Sequence, residues 1–187
     1  VKNQLKTHLE ALNKKIAVDI LGKDPETIDN DLIYQSESGQ TITGKILHID
    51  GDNEYLEKCL KFYKTNKIYA VGKKINENDI AKQIPLLLKE IKPDILVITG
   101  HDAYYAKKGN KNDINNYKNS KNFVKAIKQA RNYEKSHERL VIIAGACQSD
   151  YEELIKAGAN FASSPKRVNI HALDPAIIAS TVALTER

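Results

Sequence analysis

Two short apolar runs limit what this chain can fold into more than any other feature. Ile95-Leu96-Val97-Ile98-Thr99 closes on Gly100-His101, and Leu140-Val141-Ile142-Ile143-Ala144 closes on Gly145-Ala146-Cys147. Both runs are short, rich in β-branched side chains and ended by glycine. Each therefore reads as a buried strand of a parallel sheet, with its last residues emerging at the carboxyl edge. Open α/β sheets build their sites along that edge. A thiol and an imidazole delivered to one rim are the minimal equipment for nucleophilic catalysis by cysteine, because the imidazole favours the thiolate and later protonates the leaving group. On this reading Cys147 is the nucleophile and His101 the general acid and base.

The rest of the pattern agrees with such a sheet. Strands are expected at 45–49, 68–71, 95–99, 140–144 and 161–163, alternating with helices at 53–65, 78–91, 120–133, 150–157 and 175–185. Right-handed crossovers between parallel strands turn these βα units into a doubly wound α/β sheet with three layers, α/β/α. Pro85 inside the second helix predicts a kink or a later start. Residues 1–43 differ, with weak helical periodicity at first and few apolar side chains after Asp24, so they read as an arm and linker ahead of a core over 44–187. The stretch 102–119 leaves directly from His101 and is long for a connection. It reads either as a substrate-contacting lid or as an unstructured lysine-rich loop.

Composition narrows the function classes. At 187 residues, with 41% hydrophobic and 28% charged side chains, the chain supports one ordinary core. Its 29 basic and 24 acidic residues give net +5, but the excess is spread along the chain. The most basic stretch, 107–128, mixes lysine with asparagine and has no aromatic stacking pattern, so it reads as a solvated face rather than a nucleic-acid surface. No apolar run approaches the roughly 18 residues of a membrane span, and no signal peptide opens the sequence. A soluble protein without an export signal is expected. Cys59 shares a helical face with Tyr55, Leu56, Leu60 and Tyr63 and reads as core, which leaves Cys147 a lone thiol suited to a reducing compartment. No metal site and no cofactor are expected, because the sequence has neither close His/Cys pairs nor a glycine-rich nucleotide loop.

His101 precedes Cys147 by 147 − 101 = 46 residues, near the roughly 50-residue separation in caspases. In caspases, legumains, gingipains, clostripains and separases an apolar strand ending near His-Gly likewise precedes one ending in Ala-Cys. Gly145 through Ser149 resembles the cysteine half. The histidine half departs from it, since Gly100 precedes His101 and Asp102 takes the usual glycine position. This resemblance implies a caspase-like, flavodoxin-like sheet. It also implies an oxyanion hole from the backbone N–H of Cys147 and one at Gly100 or Asp102.

A closer resemblance lies in four runs: Ile46 through Asp52, Pro93 through Tyr104, Ala144 through Ser149, and Ala157 through Pro175. These resemble the YabG sporulation-specific cysteine proteases of spore-forming Firmicutes, over most of the chain from about Gly44. The resemblance implies an endopeptidase that acts on spore coat and cortex-associated proteins, cuts after arginine and processes itself. It would work in the mother cell or developing spore, in association with the coat. The family histidine and cysteine fall on His101 and Cys147. Family chains carry further segments at both ends, so this chain looks like the protease core of a longer protein. An arginine pocket needs a carboxylate, because an unpaired guanidinium is costly to desolvate. The places that line the pocket in caspase-like folds hold Asp50 and Asp52, Asp102, and Asp174.

Other readings compete. His171 follows Cys147 by 171 − 147 = 24 residues, the order used by hydrolases of the PfpI and glutamine amidotransferase type. Asp50 and Asp52 around Gly51 resemble the acidic corner of response-regulator receivers, which points to a non-catalytic flavodoxin-like regulatory module. Each residue also has a plainer role: Cys147 as core packing, Asp50 and Asp52 as turn formers, and Asp174 as a helix cap. His48, inside the first strand, is expected to be structural, and His8 and His137 to be solvated. Asp150 is expected to cap the helix after Cys147 and so bring the thiol near a helix N-terminus that favours thiolate.

Overall fold

The computed structural model describes residues 44–185. The expected arm and linker over 1–43 lies outside the described residues. Five parallel strands, β1 (Ile46–Asp50), β2 (Ala70–Lys74), β3 (Ile95–Thr99), β4 (Val141–Ala144) and β5 (Phe161–Ala162), form one sheet in the order β2-β1-β3-β4-β5. Five helices connect and follow them: α1 (Asn53–Thr65), α2 (Glu77–Ile91), α3 (Ser120–Tyr133), α4 (Tyr151–Lys156) and α5 (Asp174–Leu184). This is the expected doubly wound α/β/α architecture. No helix among the described residues is long and apolar enough to cross a membrane.

Period-two alternation along the strands makes two cores. Leu47, Ile49, Leu96, Ile98, Ile142 and Ala144 pack with Ile80, Ile84 and Leu88 of α2, Phe123 and Ile127 of α3, and Leu154 of α4. Ile46, Ile95, Val97, Val141 and Ile143 pack on the opposite face with Cys59 and Tyr63 of α1 and Ala176, Ala179 and Ala183 of α5. Strands β1 and β3 are buried along their whole length; β3 is a continuous apolar run up to Thr99, whereas β1 carries His48 and Asp50 among its apolar residues.

Departures from the expected elements occur where local sequence is a weak guide. Strand β2 starts at Ala70 rather than residue 68. Lys67 turns through φ +55° and the Ile68 N–H bonds the Tyr63 carbonyl, so Ile68 closes the end of α1 and packs into its core. Helix α2 runs on through Pro85. The proline is exposed, so the intrahelical bond it removes lies on the solvent side. The 102–119 stretch carries short 3-10 turns at Ala106–Lys108 and Ile114–Asn116, and a Tyr104–Tyr117 bridge with the rings 5.2 Å apart draws its ends together.

A polar thread runs through the second core. His48 is fully buried, with Nδ1 2.9 Å from the Tyr63 hydroxyl and Nε2 2.9 Å from Thr99 Oγ1. Thr99 Oγ1 donates at 2.5 Å to Asp50 Oδ2, and the Asp52 N–H donates at 2.7 Å to Asp50 Oδ1. The threonine has one hydroxyl proton and gives it to the carboxylate. It must therefore accept from His48, which fixes the neutral Nε2–H tautomer, with the Tyr63 hydroxyl donating to Nδ1. As expected, His48 is structural.

Burial lowers the His48 pKa from 6.5 to about 3. The unfolded chain takes up this proton near pH 6.5 and the folded chain only near 3, so His48 removes stability as pH falls below 6.5. Burial raises the Asp50 carboxyl, which works in the opposite sense at the acid end. Denaturant melts should show a loss of about 2 kcal/mol between pH 6.5 and 5. The His48→Asn variant, less stable at pH 7, should show a flatter pH dependence over that window. An equal slope in both proteins would assign the acid sensitivity to another group.

Candidate active site

Strand order reverses between β1 and β3, so the crevice of the fold opens at their carboxyl ends. Asp50 and Asp52 leave β1 there, His101 lies two residues beyond the end of β3, and Cys147 lies three residues beyond the end of the neighbouring β4. The topology thus brings the expected histidine and cysteine to adjacent strand ends.

His101 is held by its backbone. Its N–H donates at 2.8 Å to Glu77 Oε1 at the start of α2, and its carbonyl accepts from Asn119 Nδ2 at 2.7 Å. The imidazole is about half exposed, with Nε2 4.0 Å from Asp52 Oδ2 and its ring 5.7 Å from that of Tyr55. Asp52 Oδ1 caps α1 by accepting from the Glu54 and Tyr55 N–H groups, which fixes the carboxylate and turns Oδ2 toward the histidine. Sequence reasoning missed Glu77. A Cβ built on Gly51 would lie 2.4 Å from its Oε1, and one on Gly100 2.6 Å, so glycine at both strand ends makes room for it. Those two glycines were the available signal, but nothing local names the side chain that fills the space.

Cys147 occupies a tight turn. Gly145 has φ +110°, and a Cβ there would lie 2.8 Å from Leu154 Cδ1, so glycine is required on both counts. Gln148 follows at φ +60°. The sulfur is partly buried, accepts the Ile170 N–H at 3.4 Å and lies 3.8 Å from the Ile170 carbonyl oxygen. It is not hydrogen-bonded to His101. Helix α4 begins at Tyr151, four residues beyond Cys147, and has six residues. Asp150 does cap it, accepting from the Glu153 N–H at 3.5 Å.

Asp102 joins the two loops. Its carboxylate accepts from the N–H groups of Asn119 (2.7 Å) and Ala103 (2.9 Å) and the hydroxyls of Ser120 (2.5 Å) and Ser149 (2.9 Å). Ser149 Oγ in turn accepts the Ala146 N–H at 2.9 Å, and Gln148 Oε1 accepts the Tyr104 N–H at 3.1 Å. The Asp102 side chain is therefore buried, with protein donors on both carboxylate oxygens. Among the described residues the backbone N–H groups of Gly100, Asp102 and Cys147 donate to no protein acceptor.

The remaining expectations divide. Asp50 is buried in the polar thread, whereas Asp174 is exposed and accepts the His171 N–H at 2.9 Å. His171, one residue past Ile170, is exposed and uses Nδ1 to accept the Leu173 N–H at 3.2 Å. No three His, Cys, Asp or Glu among the described residues are grouped to hold a metal ion.

Comparison with known proteins follows the same residues. The profile of the YabG peptidase U57 family matches residues 2–187. The chain belongs to that family. It is 52% identical over 142 residues to the sporulation-specific protease YabG of Bacillus subtilis (strain 168), covering 76% of this chain and 49% of that protein. The chain thus spans about half the length of this YabG relative.

Ser149→Ala tests the junction. It would leave the Ala146 N–H without its acceptor and Asp102 short of one donor, at a cost of about 1–3 kcal/mol. Chemical denaturation of the variant measures this, and a change under 0.5 kcal/mol would show that the two loops are held by other contacts.

Proposed function

We propose that this chain is the catalytic core of a sporulation-specific cysteine endopeptidase. The carrying observation is that Cys147 and His101 follow the adjacent strands β4 and β3, next to the switch point, with a carboxylate beside the imidazole. Membership in the YabG peptidase family supports the reaction class. Loss of the Cys147 thiol proton to His101 leaves a thiolate, which attacks the scissile carbonyl carbon while the carbonyl π pair moves onto oxygen. The N–H of Cys147 and that of Gly100 or Asp102 receive the oxyanion. His101, oriented by Asp52, protonates the leaving amine as the C–N bond breaks, and water then cleaves the thioester. The imidazole and thiol need not touch in the free enzyme, since such contacts tighten when substrate binds.

Family resemblance extends the proposal to spore coat and cortex-associated proteins as substrates, to cleavage after arginine and to self-processing, in the mother cell or developing spore. Cys147→Ala and His101→Ala should each abolish cleavage while the domain still folds, and His171→Ala should retain much of it. A dead His171→Ala with an active His101→Ala would instead support the amidotransferase-like order.

The guanidinium partner is proposed among Asp50, Asp52, Asp102 and Asp174. Asparagine at the true partner should lower kcat/KM for arginine substrates about a hundredfold, or about 3 kcal/mol, relative to a neutral side chain. If Asp52 orients the histidine rather than binding substrate, Asp52→Asn should lower kcat for both substrates alike. Full discrimination in all four asparagine variants would place the pocket outside these residues.

A further inference from the structure

The connection after β5 lies against the turn that carries Cys147. Ser164 and Arg167 both take left-handed backbone, at φ +62° and +54°, with the Arg167 N–H closing onto the Ser164 carbonyl at 2.7 Å. The Gln148 N–H is shared between Ser164 Oγ (3.2 Å) and the Val168 carbonyl (3.3 Å), and Ser164 Oγ donates to that same carbonyl at 2.6 Å. Two residues on, the Ile170 N–H reaches the Cys147 sulfur at 3.4 Å. The far end is tied to α1, where Cys59 Sγ donates to the Ala172 carbonyl at 3.5 Å.

One side chain holds the near end. The Arg167 side chain is only 10% exposed. Its guanidinium bonds Glu152 Oε2 at 2.5 Å and Asp150 Oδ1 at 3.3 Å, and also bonds the Tyr117 hydroxyl and the Lys111 carbonyl. It also sits over the Tyr117 ring at 5.8 Å. Three segments meet there: the loop after His101, the start of α4 and the strap itself. A non-glycine residue in left-handed backbone costs on the order of 1–2 kcal/mol, and this set of charged and aromatic partners offsets that strain.

We propose that the Ile170 backbone N–H is a catalytic donor to the Cys147 sulfur and that Arg167 is the positioning residue that holds it there. This rests on the cysteine-protease reading above. A hydrogen bond to an ionised acceptor is about twice as strong as one to a neutral acceptor, so the donor favours the thiolate over the thiol. It gives up no proton: the thiol proton goes to His101, and the Ile170 N–H stays intact while the sulfur forms its bond to carbon. The Ile170 carbonyl, at 3.8 Å, serves only the thiol form. The charged and titratable groups on the surrounding elements are Asp50, Asp52, Glu77, His101 and Asp102 at the β1 and β3 ends, Asp150, Glu152, Glu153 and Lys156 at α4, Lys166, Arg167 and His171 on the connection after β5, and Asp174 on α5.

The test is alkylation of Cys147 by iodoacetamide in the full chain, followed by peptide mass from pH 5 to 9, which separates it from Cys59. Arg167→Gln should be alkylated about tenfold more slowly at pH 7, with its rate–pH curve moved about one unit upward. Arg167→Lys, able to reach Glu152 but not to span all the partners, should fall between Arg167→Gln and the native chain. Glu152→Gln alters an exposed side chain, and it should shift the curve in the same direction by less. Ile170→Pro removes the N–H itself and should match Arg167→Gln. Native rates and an unmoved curve in folded Arg167→Gln and Glu152→Gln would overturn the proposal. Alkylation needs no peptide substrate, so the outcome is separate from the protease assignment, which retained cleavage by Cys147→Ala would sink on its own.

Discussion

The geometry of this site depends on the buried carboxylate of Asp102. Cut off from water, it is tolerable only because it collects two backbone N–H groups and two hydroxyls. Those donors come from its own loop, from the start of α3 and from the turn beyond Cys147. Satisfying one buried polar group therefore sets the distance between the loop that carries the histidine and the turn that carries the cysteine. The sheet brings the two strand ends to the same rim, but adjacent strands alone leave the loops beyond them free to diverge. Asp102 and Ser149 remove that freedom, and the Gln148–Tyr104 contact adds a second link.

Around this junction the two catalytic candidates are held in different ways. His101 has a fixed backbone and an exposed ring, lightly placed by Asp52 and Tyr55. Such a ring can turn between the thiol and a leaving amine. Cys147 is embedded among backbone groups, with its sulfur against Ile170. An exposed imidazole and an embedded thiol fit the proposed two-step acyl transfer, in which the base must serve two different atoms.

The central architecture was legible because burial on both faces leaves a plain mark on sequence. Strand β3 and helices α1 and α3 fall where the apolar runs and helical periodicity put them, and Gly100 and Gly145 mark where their strands end. The edge strands were less legible: β2 carries Gly72, Lys73 and Lys74, and β5 has only two residues, so neither shows a buried run. Of the candidate site, the positions of His101 and Cys147 at neighbouring strand ends could be read because they sit directly beyond those runs. The link that Asp102 makes between their loops could not, since its partners lie as far as 47 residues away. The strap was invisible for another reason. Ser164 and Arg167 adopt a backbone usually signalled by glycine or asparagine, and only the cluster around the guanidinium explains why they do.

Glu77 has a consequence for how this sequence can drift. Its carboxylate fills the space above Gly51 and Gly100 and also accepts the His101 N–H. Adding a methyl at either glycine drives that carboxylate out, and shortening Glu77 to make room abandons the amide. The three positions are therefore coupled: the effect of an alanine at Gly51 depends on how far Glu77 swings aside and on what then accepts the His101 N–H. A mutational library that varies these sites one at a time would overlook any combination that changes them together.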